Sequence, residues 1–214
     1  MMPIELSAGL KQKIQEGVAL LKNGGVIAYP TDTVYGLGAG MEFRQAVERV
    51  YQIKERPMSM PLPLLIADIA QLDNLTESVS ETANTLIKQF WPGGLTLVFK
   101  AIPGVPEIIT AGANTVAIRI PAHPVALALI RGLGMPLVGT SANLSGKASA
   151  LTADEVGEQI GDRIDMVVDG GRCPGGIEST IIDVSGEKPK ILRAGAITEQ
   201  EIEKATGIIF REEP

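Results

Sequence analysis

Val26-Ile27-Ala28-Tyr29-Pro30-Thr31-Asp32-Thr33-Val34-Tyr35-Gly36-Leu37-Gly38-Ala39-Gly40 is the stretch on which the fold turns. Its first four residues are apolar, β-branched or aromatic, and Pro30 closes them, which reads as a short buried strand. Upstream, Ser7 to Lys22 puts Leu10, Ile14, Val18 and Leu21 on one helical stripe that Gly24-Gly25 stops. Helix followed by strand then repeats along the chain. Phe43 to Lys54 is helical, with Ala46, Val47, Val50 and Tyr51 apolar, and Pro57 forbids its continuation. Leu62 to Ile66 reads as a strand and Ser78 to Phe90 as a helix broken by Pro92-Gly93-Gly94. Beyond it come strands at Leu95–Phe99 and Thr115–Ile120, a helix at Pro124–Leu133 and a strand at Pro136–Gly139. A helix at Asp154–Ile160 with Thr152 as its cap follows. Strands at Met166–Val168, Ser179–Val184 and Lys190–Leu192 and a helix at Glu199–Ala205 complete the pattern. The alternation predicts one α/β domain over residues 1–214, built on a mixed twisted sheet with flanking helices.

Composition bounds the function. The 214 residues are 45% hydrophobic and 21% charged, which supplies a core and excludes a disordered chain. Apolar runs such as Val125 to Ile130 are too short to span a bilayer, and Lys11, Lys13 and Glu16 interrupt any signal-peptide core. No membrane role and a cytoplasmic location are therefore expected. The single cysteine, Cys173, excludes an internal disulfide and a multi-cysteine zinc site. Lys and Arg number 19 against 25 Asp and Glu, a net charge of -6, so a broad basic surface for nucleic acid is not the expectation. A local basic cavity is compatible with that balance. Aromatic residues at 4% leave few platforms for base stacking.

Chemistry-bearing residues gather in the breaks between elements. Gly36, Gly38 and Gly40 lack the spacing that opens a helix against a pyrophosphate, so a dinucleotide fingerprint is rejected. A turn whose Thr31, Asp32 and Thr33 side chains bond the backbone is the plainer reading. Lys54-Glu55-Arg56-Pro57 sets two cations at a helix C-terminus, where they either complement the helix dipole or clamp an anion. Thr140-Ser141-Ala142-Asn143-Leu144-Ser145-Gly146-Lys147 follows a strand and suits a ligand crevice, but it is not a phosphate-binding Walker loop. Arg119 lies within an apolar run and demands a partner carboxylate or a bound anion. Arg193 poses the same question, and Ser179-Thr180 leads into a strand beyond Gly175-Gly176. His123, the only histidine, sits before Pro124 and reads as structural; Cys173 reads as incidental and Trp91 as a packing anchor. No metal-binding motif is present, so no protein-built metal site is expected.

In order and spacing, Tyr29 to Leu37, Lys54-x-Arg56, Trp91-Pro92-Gly93, Arg119-Ile120-Pro121, Ser141-Ala142-Asn143, Glu178-Ser179-Thr180 and Arg193 resemble the YrdC/Sua5 family, in its short single-domain form. The resemblance implies a mixed sheet around a large positively charged cavity. It also implies an L-threonylcarbamoyladenylate synthase that uses L-threonine, bicarbonate or CO2, and ATP as substrate, with Mg2+ carried by ATP. The product would serve proteins that modify adenosine 37 of tRNA, and direct binding of tRNA or double-stranded RNA stands as the alternative function. Carried over by position, Lys54, Arg56, Thr115, Asn143 and Arg193 would hold ATP. Thr33, Arg119, Ser141 and Ser179 would hold threonine. Lys54, Arg56, Ser141 and Asn143 would form the catalytic set. Met60, Leu65 and Leu151 stand where relatives often carry Asn, His and Thr.

Overall fold

A computed structural model describes residues 6–210. In chain order the elements are α1 (Ala8–Lys22), β1 (Ile27–Tyr29), β2 (Gly36–Gly38), α2 (Arg44–Lys54), β3 (Leu64–Leu65), α3 (Glu81–Phe90), β4 (Leu95–Lys100) and α4 (Glu107–Thr110). They continue with β5 (Thr115–Arg119), α5 (Pro124–Leu133), β6 (Leu137–Val138), β7 (Thr140–Ser141), α6 (Ala153–Ile160), β8 (Met166–Val167), β9 (Thr180–Asp183), β10 (Lys190–Arg193) and α7 (Glu199–Thr206). Short 3-10 turns occupy Ile69–Asn74 and Gly161–Arg163.

The α/β class and mixed pairing match the sequence reading. The strands nevertheless form two hydrogen-bonded sheets, one ordered β7-β2-β1-β8 and one ordered β10-β9-β4-β5-β3-β6. Parallel pairs (β1 with β8, β3 with β5, β4 with β9) are mixed with antiparallel ones in both sheets. Two strands were missed by pattern. In β2, Gly36 pairs directly with Tyr29, and a Cβ on Gly36 or Gly38 would lie about 3 Å from the Tyr29 ring. These glycines make room for an aromatic ring, whose hydroxyl donates to the Val138 carbonyl at 3.0 Å. The other missed strand is β7. After β6 the chain leaves the six-stranded sheet, and at Thr140 it pairs with β2 of the other. Gly139 sits at this crossing, where a Cβ would stand 2.3 Å from Leu65 Cγ.

Caps fix helix starts more tightly than periodicity does. α3 starts at Glu81 rather than Ser78 because Ser80 Oγ accepts the Ala83 N–H at 3.2 Å. His123 caps α5 by accepting the Val125 N–H at 3.3 Å, the structural role expected of it. α1 and α5 cover one apolar layer with Leu21, Ile27, Tyr29, Val125 and Leu129. A larger layer holds Tyr35, Val47, Leu86, Leu97 and Phe99. Each fully buried leucine contributes about 1.5–3 kcal/mol relative to exposure.

Candidate active site

The register of the six-stranded sheet brings four strand ends to one rim. Leu95 at the start of β4 pairs with Thr180 at the start of β9, while Arg119 ends β5 and Arg193 ends β10. The Gly93 N–H donates to the Ile120 carbonyl, and the Thr180 N–H to that of Gly94, each across about 3 Å. The Thr31–Thr33 turn and the C-terminus of α2 complete this rim.

Arg119 is buried, and its need for a partner is met by Asp32, with NH2 donating to Oδ1 at 2.6 Å. NH1 donates to Thr33 Oγ1 at 2.9 Å and Nε to the Gly93 carbonyl at 2.8 Å. Asp32 Oδ1 also accepts the Ala122 N–H at 2.9 Å. A guanidinium carries five N–H donors, so two remain on Arg119. Burial lowers its pKa, and the Asp32 carboxylate acts against that shift. Thr31 braces the turn, donating to the Val34 carbonyl at 2.6 Å and accepting the Thr33 N–H at 3.1 Å. The backbone-bonding turn expected from the sequence is present, and it also orients an arginine.

Arg193 forms the second corner. Its Nε and NH2 donate to the Ser179 carbonyl at 3.1 and 2.8 Å, NH2 reaches Ser179 Oγ at 3.1 Å, and NH1 donates to Glu178. Ser179 Oγ also bonds Thr96 Oγ1 at 2.8 Å. Ser149 donates to the other Glu178 oxygen at 2.7 Å. Burial alone would raise the Glu178 pKa, but Ser149, Arg193, Ser141 and Lys54 overrule it and hold the carboxyl below its ordinary value.

Lys54 and Arg56 diverge at the turn that ends α2. Glu55 takes a left-handed conformation (φ 52°), the Arg56 N–H returns to the Tyr51 carbonyl, and the helix ends in a Schellman-type turn. Lys54 Nζ turns inward and donates to the carbonyls of Ser141 (2.5 Å) and Asn143 (2.8 Å) and to Asn143 Oδ1 (3.2 Å). Its three donors are thereby committed. Burial, with repulsion from Arg56, pushes the Lys54 pKa down to about 8. Asn143 Nδ2 in turn donates to the carbonyls of Leu144 and Lys147 at 3.0 and 2.7 Å. Arg56 keeps more freedom. It donates to the Met60 and Pro61 carbonyls at 3.4 and 2.9 Å, and among the described residues it pairs with no carboxylate. Its pKa is lowered by burial and by Arg193, which places the two arginines within electrostatic reach.

Most of the sequence-predicted residues therefore meet: Thr33, Lys54, Arg56, Arg119, Ser141, Asn143, Ser179 and Arg193. Thr115 is set apart. It begins β5, paired with Lys100, four residues and about 13 Å from Arg119, although on the same face. Asp32 and Glu178 were visible only as members of motifs, and Ser149 carried no signal. Cys173 is buried and its thiol is pushed up to about 11, chiefly by burial, which fits an incidental residue. Two recesses lie elsewhere. One of about 270 Å³ borders Tyr51, Gln52 and Met58 and reaches the site only through Arg56; one of about 410 Å³ lies beside Ser80, Lys100 and Ser185. Neither holds a comparable convergence of charge. Among the described residues no three acidic, cysteine or histidine side chains gather to hold a metal, and no helix is long and apolar enough to cross a membrane.

Comparison with known proteins identifies the family. The profile of the Sua5/YciO/YrdC family, described as telomere recombination, matches residues 19–195. The threonylcarbamoyl-AMP synthase of Bacillus subtilis is 47% identical over 206 residues, covering 96% of this chain and 59% of the relative. The crystal structure of Pyrococcus abyssi Sua5 complexed with L-threonine superposes with a TM-score of 0.90 at 42% identity, over 94% of this chain and 59% of that one. Escherichia coli YciO superposes with a TM-score of 0.76 at 29% identity, over 86% of this chain and 90% of its own. This chain thus spans about 59% of the length of the B. subtilis relative. From the profile and these likenesses together, the chain belongs to the Sua5/YciO/YrdC family.

Proposed function

We propose that this chain acts, as one YrdC-like unit over residues 1–214, as an L-threonylcarbamoyladenylate synthase. The observation that carries the reading is the meeting of two arginine corners at one rim, Arg119 retaining two donors beside Thr33 and Arg193 lying near Arg56 and Ser141. The name of the B. subtilis relative and the threonine bound by P. abyssi Sua5 support it. In this reading the rim forms a cationic cavity. The threonine carboxylate lies on the remaining donors of Arg119, with Thr33, Ser141 and Ser179 around the amino acid. Arg193 and Arg56 face the phosphates, and Thr115 lies where the far end of the nucleotide reaches. Lys54 and Asn143 act by holding the loop that presents Ser141, because their own polar atoms are engaged within the protein.

The chemistry needs position more than a special base. The threonine amine adds to CO2, derived from bicarbonate, and releases a proton to give a carbamate. A carbamate oxygen then attacks the α-phosphorus of ATP as the bond to the β-phosphate's bridging oxygen breaks, and pyrophosphate leaves. Two anions must approach in line, so guanidinium groups that neutralise charge and fix geometry do the catalytic work. Mg2+ enters with ATP. The product would pass in the cytoplasm to proteins that modify tRNA.

Incubation with labelled bicarbonate, ATP and each amino acid in turn, without tRNA, tests the reading. Threonine is expected to give a labelled adenylate and pyrophosphate while other amino acids do not. Arg56→Ala and Ser141→Ala are expected to lower turnover by ~10-fold or more with the fold intact. Salt-sensitive RNA binding without pyrophosphate release would overturn it in favour of an RNA-binding module.

A further inference from the structure

Glu178 takes no part in the reaction as written, yet it occupies the most contested position at the rim. Lys54 has no free donor, and Arg119 has three of its five committed to Thr33, Asp32 and Gly93. Arg193 is fixed along one edge by Ser179 and presents NH1. Glu178 sits on that NH1 and on the Ser149 hydroxyl. Lys54, Arg56 and the Ser141 hydroxyl also act electrostatically on the carboxylate. One internal anion thus lies where groups from α2, β7, the loop after it and β10 converge.

The attachment of Glu178 is of a kind that can be exchanged. Its hydrogen-bond partners are side chains, and 32% of its own side chain is exposed. Its backbone is held separately, the carbonyl accepting the Ala196 N–H at 2.8 Å, so leaving the cluster requires only a rotamer change. Asp32 differs in each respect: 13% of its side chain is exposed, and one oxygen holds both Arg119 and a backbone N–H.

We propose that Glu178 is a specificity-determining residue of the phosphate subsite, an internal competitor that cedes the Arg193 and Ser149 donors to a polyphosphate and not to a weakly charged anion. The proposal rests on the reading that ATP binds at this rim. A bound anion shifts the Glu178 rotamer only by its differential affinity for the two arrangements. A di- or triphosphate offers several charges to Arg56 and Arg193 together and offsets the loss of the carboxylate contact. A single phosphate offers less and meets the repulsion of a carboxylate still in place. The same competition favours departure of pyrophosphate, because Glu178 reclaims its donors.

Calorimetric titration of pyrophosphate, ATP and AMP into the wild-type protein, Glu178→Gln and Glu187→Gln tests this. Glu187 is exposed in the β9–β10 turn, so its variant makes the same change in net charge elsewhere. Glu178→Gln is isosteric and keeps an acceptor for Ser149; an unchanged melting temperature checks its fold. The expected result is AMP binding at least ~10-fold tighter in Glu178→Gln, pyrophosphate binding tighter by a smaller factor, and no change in Glu187→Gln. Weaker or unchanged pyrophosphate and AMP binding by Glu178→Gln would overturn the proposal, since Glu178 would then merely aim Arg193. An equal gain in Glu187→Gln would also overturn it, by assigning the effect to overall charge. If the wild-type protein binds neither ATP nor pyrophosphate, the nucleotide reading falls and takes this inference with it, whereas binding without a Glu178 effect removes the inference alone.

Discussion

The Arg119–Asp32 pair and the Arg193–Glu178 pair stand at the same rim, but the first exposes 7% and 13% of its side chains and the second 41% and 32%. The first is built into the fold: its acid also anchors the backbone at Ala122, and its base also holds Thr33 and the Gly93 carbonyl. In the second the arginine is tied to backbone, at the Ser179 carbonyl, while the carboxylate meets only the Ser149 and Arg193 side chains. The same chemical pair therefore serves two ends. In the dry corner the carboxylate is a permanent counter-charge that makes a buried guanidinium tolerable while leaving it two donors. In the wet corner the carboxylate is a tenant that solvent and other anions can replace.

The largest expected effect comes from breaking the dry pair. Asp32→Ala leaves Arg119 charged, buried and without its acid, and also strips the Ala122 N–H of its acceptor. Losing one member of a buried ion pair costs about 3–5 kcal/mol. A loss of that size in urea denaturation is expected, and Arg119→Met in the same chain is expected to restore most of it. A loss below about 1 kcal/mol would place the dry corner in the class of exposed pairs and erase the contrast.

Lys54 supplies an intermediate case, a buried cation held by carbonyls rather than by an acid. Its pKa near 8, against 10.5 for an ordinary lysine, sets two opposite trends with pH. Between these values the unfolded chain binds more protons at this site than the folded one, so its contribution makes stability rise with pH. Turnover is expected to move the other way: a neutral amine has two donors for three acceptors, and the Ser141–Asn143 loop loosens. The alkaline limb of kcat/KM should therefore have its midpoint near pH 8. Lys54→Met should remove that limb and lower turnover by ~10-fold, the equivalent of about 1.4 kcal/mol. An alkaline limb surviving in Lys54→Met would assign it to another group.

The sequence made some of this legible and hid the rest for physical reasons. α5 was readable to the residue, with Pro124 at its entry, and the end of α2 because Pro57 stops it. β2 was not, since Gly36-Leu37-Gly38 has neither β-propensity nor a period, and its pairing is decided by the Tyr29 ring on the neighbouring strand. β7, two residues long, carries no pattern at all. At the site, residue type announced Arg119, Arg193, Lys54 and Arg56, because cations in apolar or turn contexts demand explanation. Their partners were not announced. Asp32 is 87 residues from Arg119 in sequence, and only folding selects it from the chain's other acids. Nor does sequence distinguish a lysine that faces a ligand from one whose three donors close on the backbone of its own loop.

The smallest expected effect sharpens the comparison most. Glu178→Gln should change folding stability by only about 0–1 kcal/mol, because a partly exposed pair gains little from its charge in water. The same substitution is expected to tighten AMP binding by ~10-fold. Equilibrium unfolding beside the titrations reads both numbers from one protein. A small stability change with a large binding change is the signature of a displaceable carboxylate, and no such combination is available to Asp32, whose removal disturbs the fold that positions Arg119. If Glu178→Gln instead costs several kcal/mol, its exposure is misleading, the Ser149 and Arg193 contacts brace the rim as Asp32 does, and the two corners are one kind of structure.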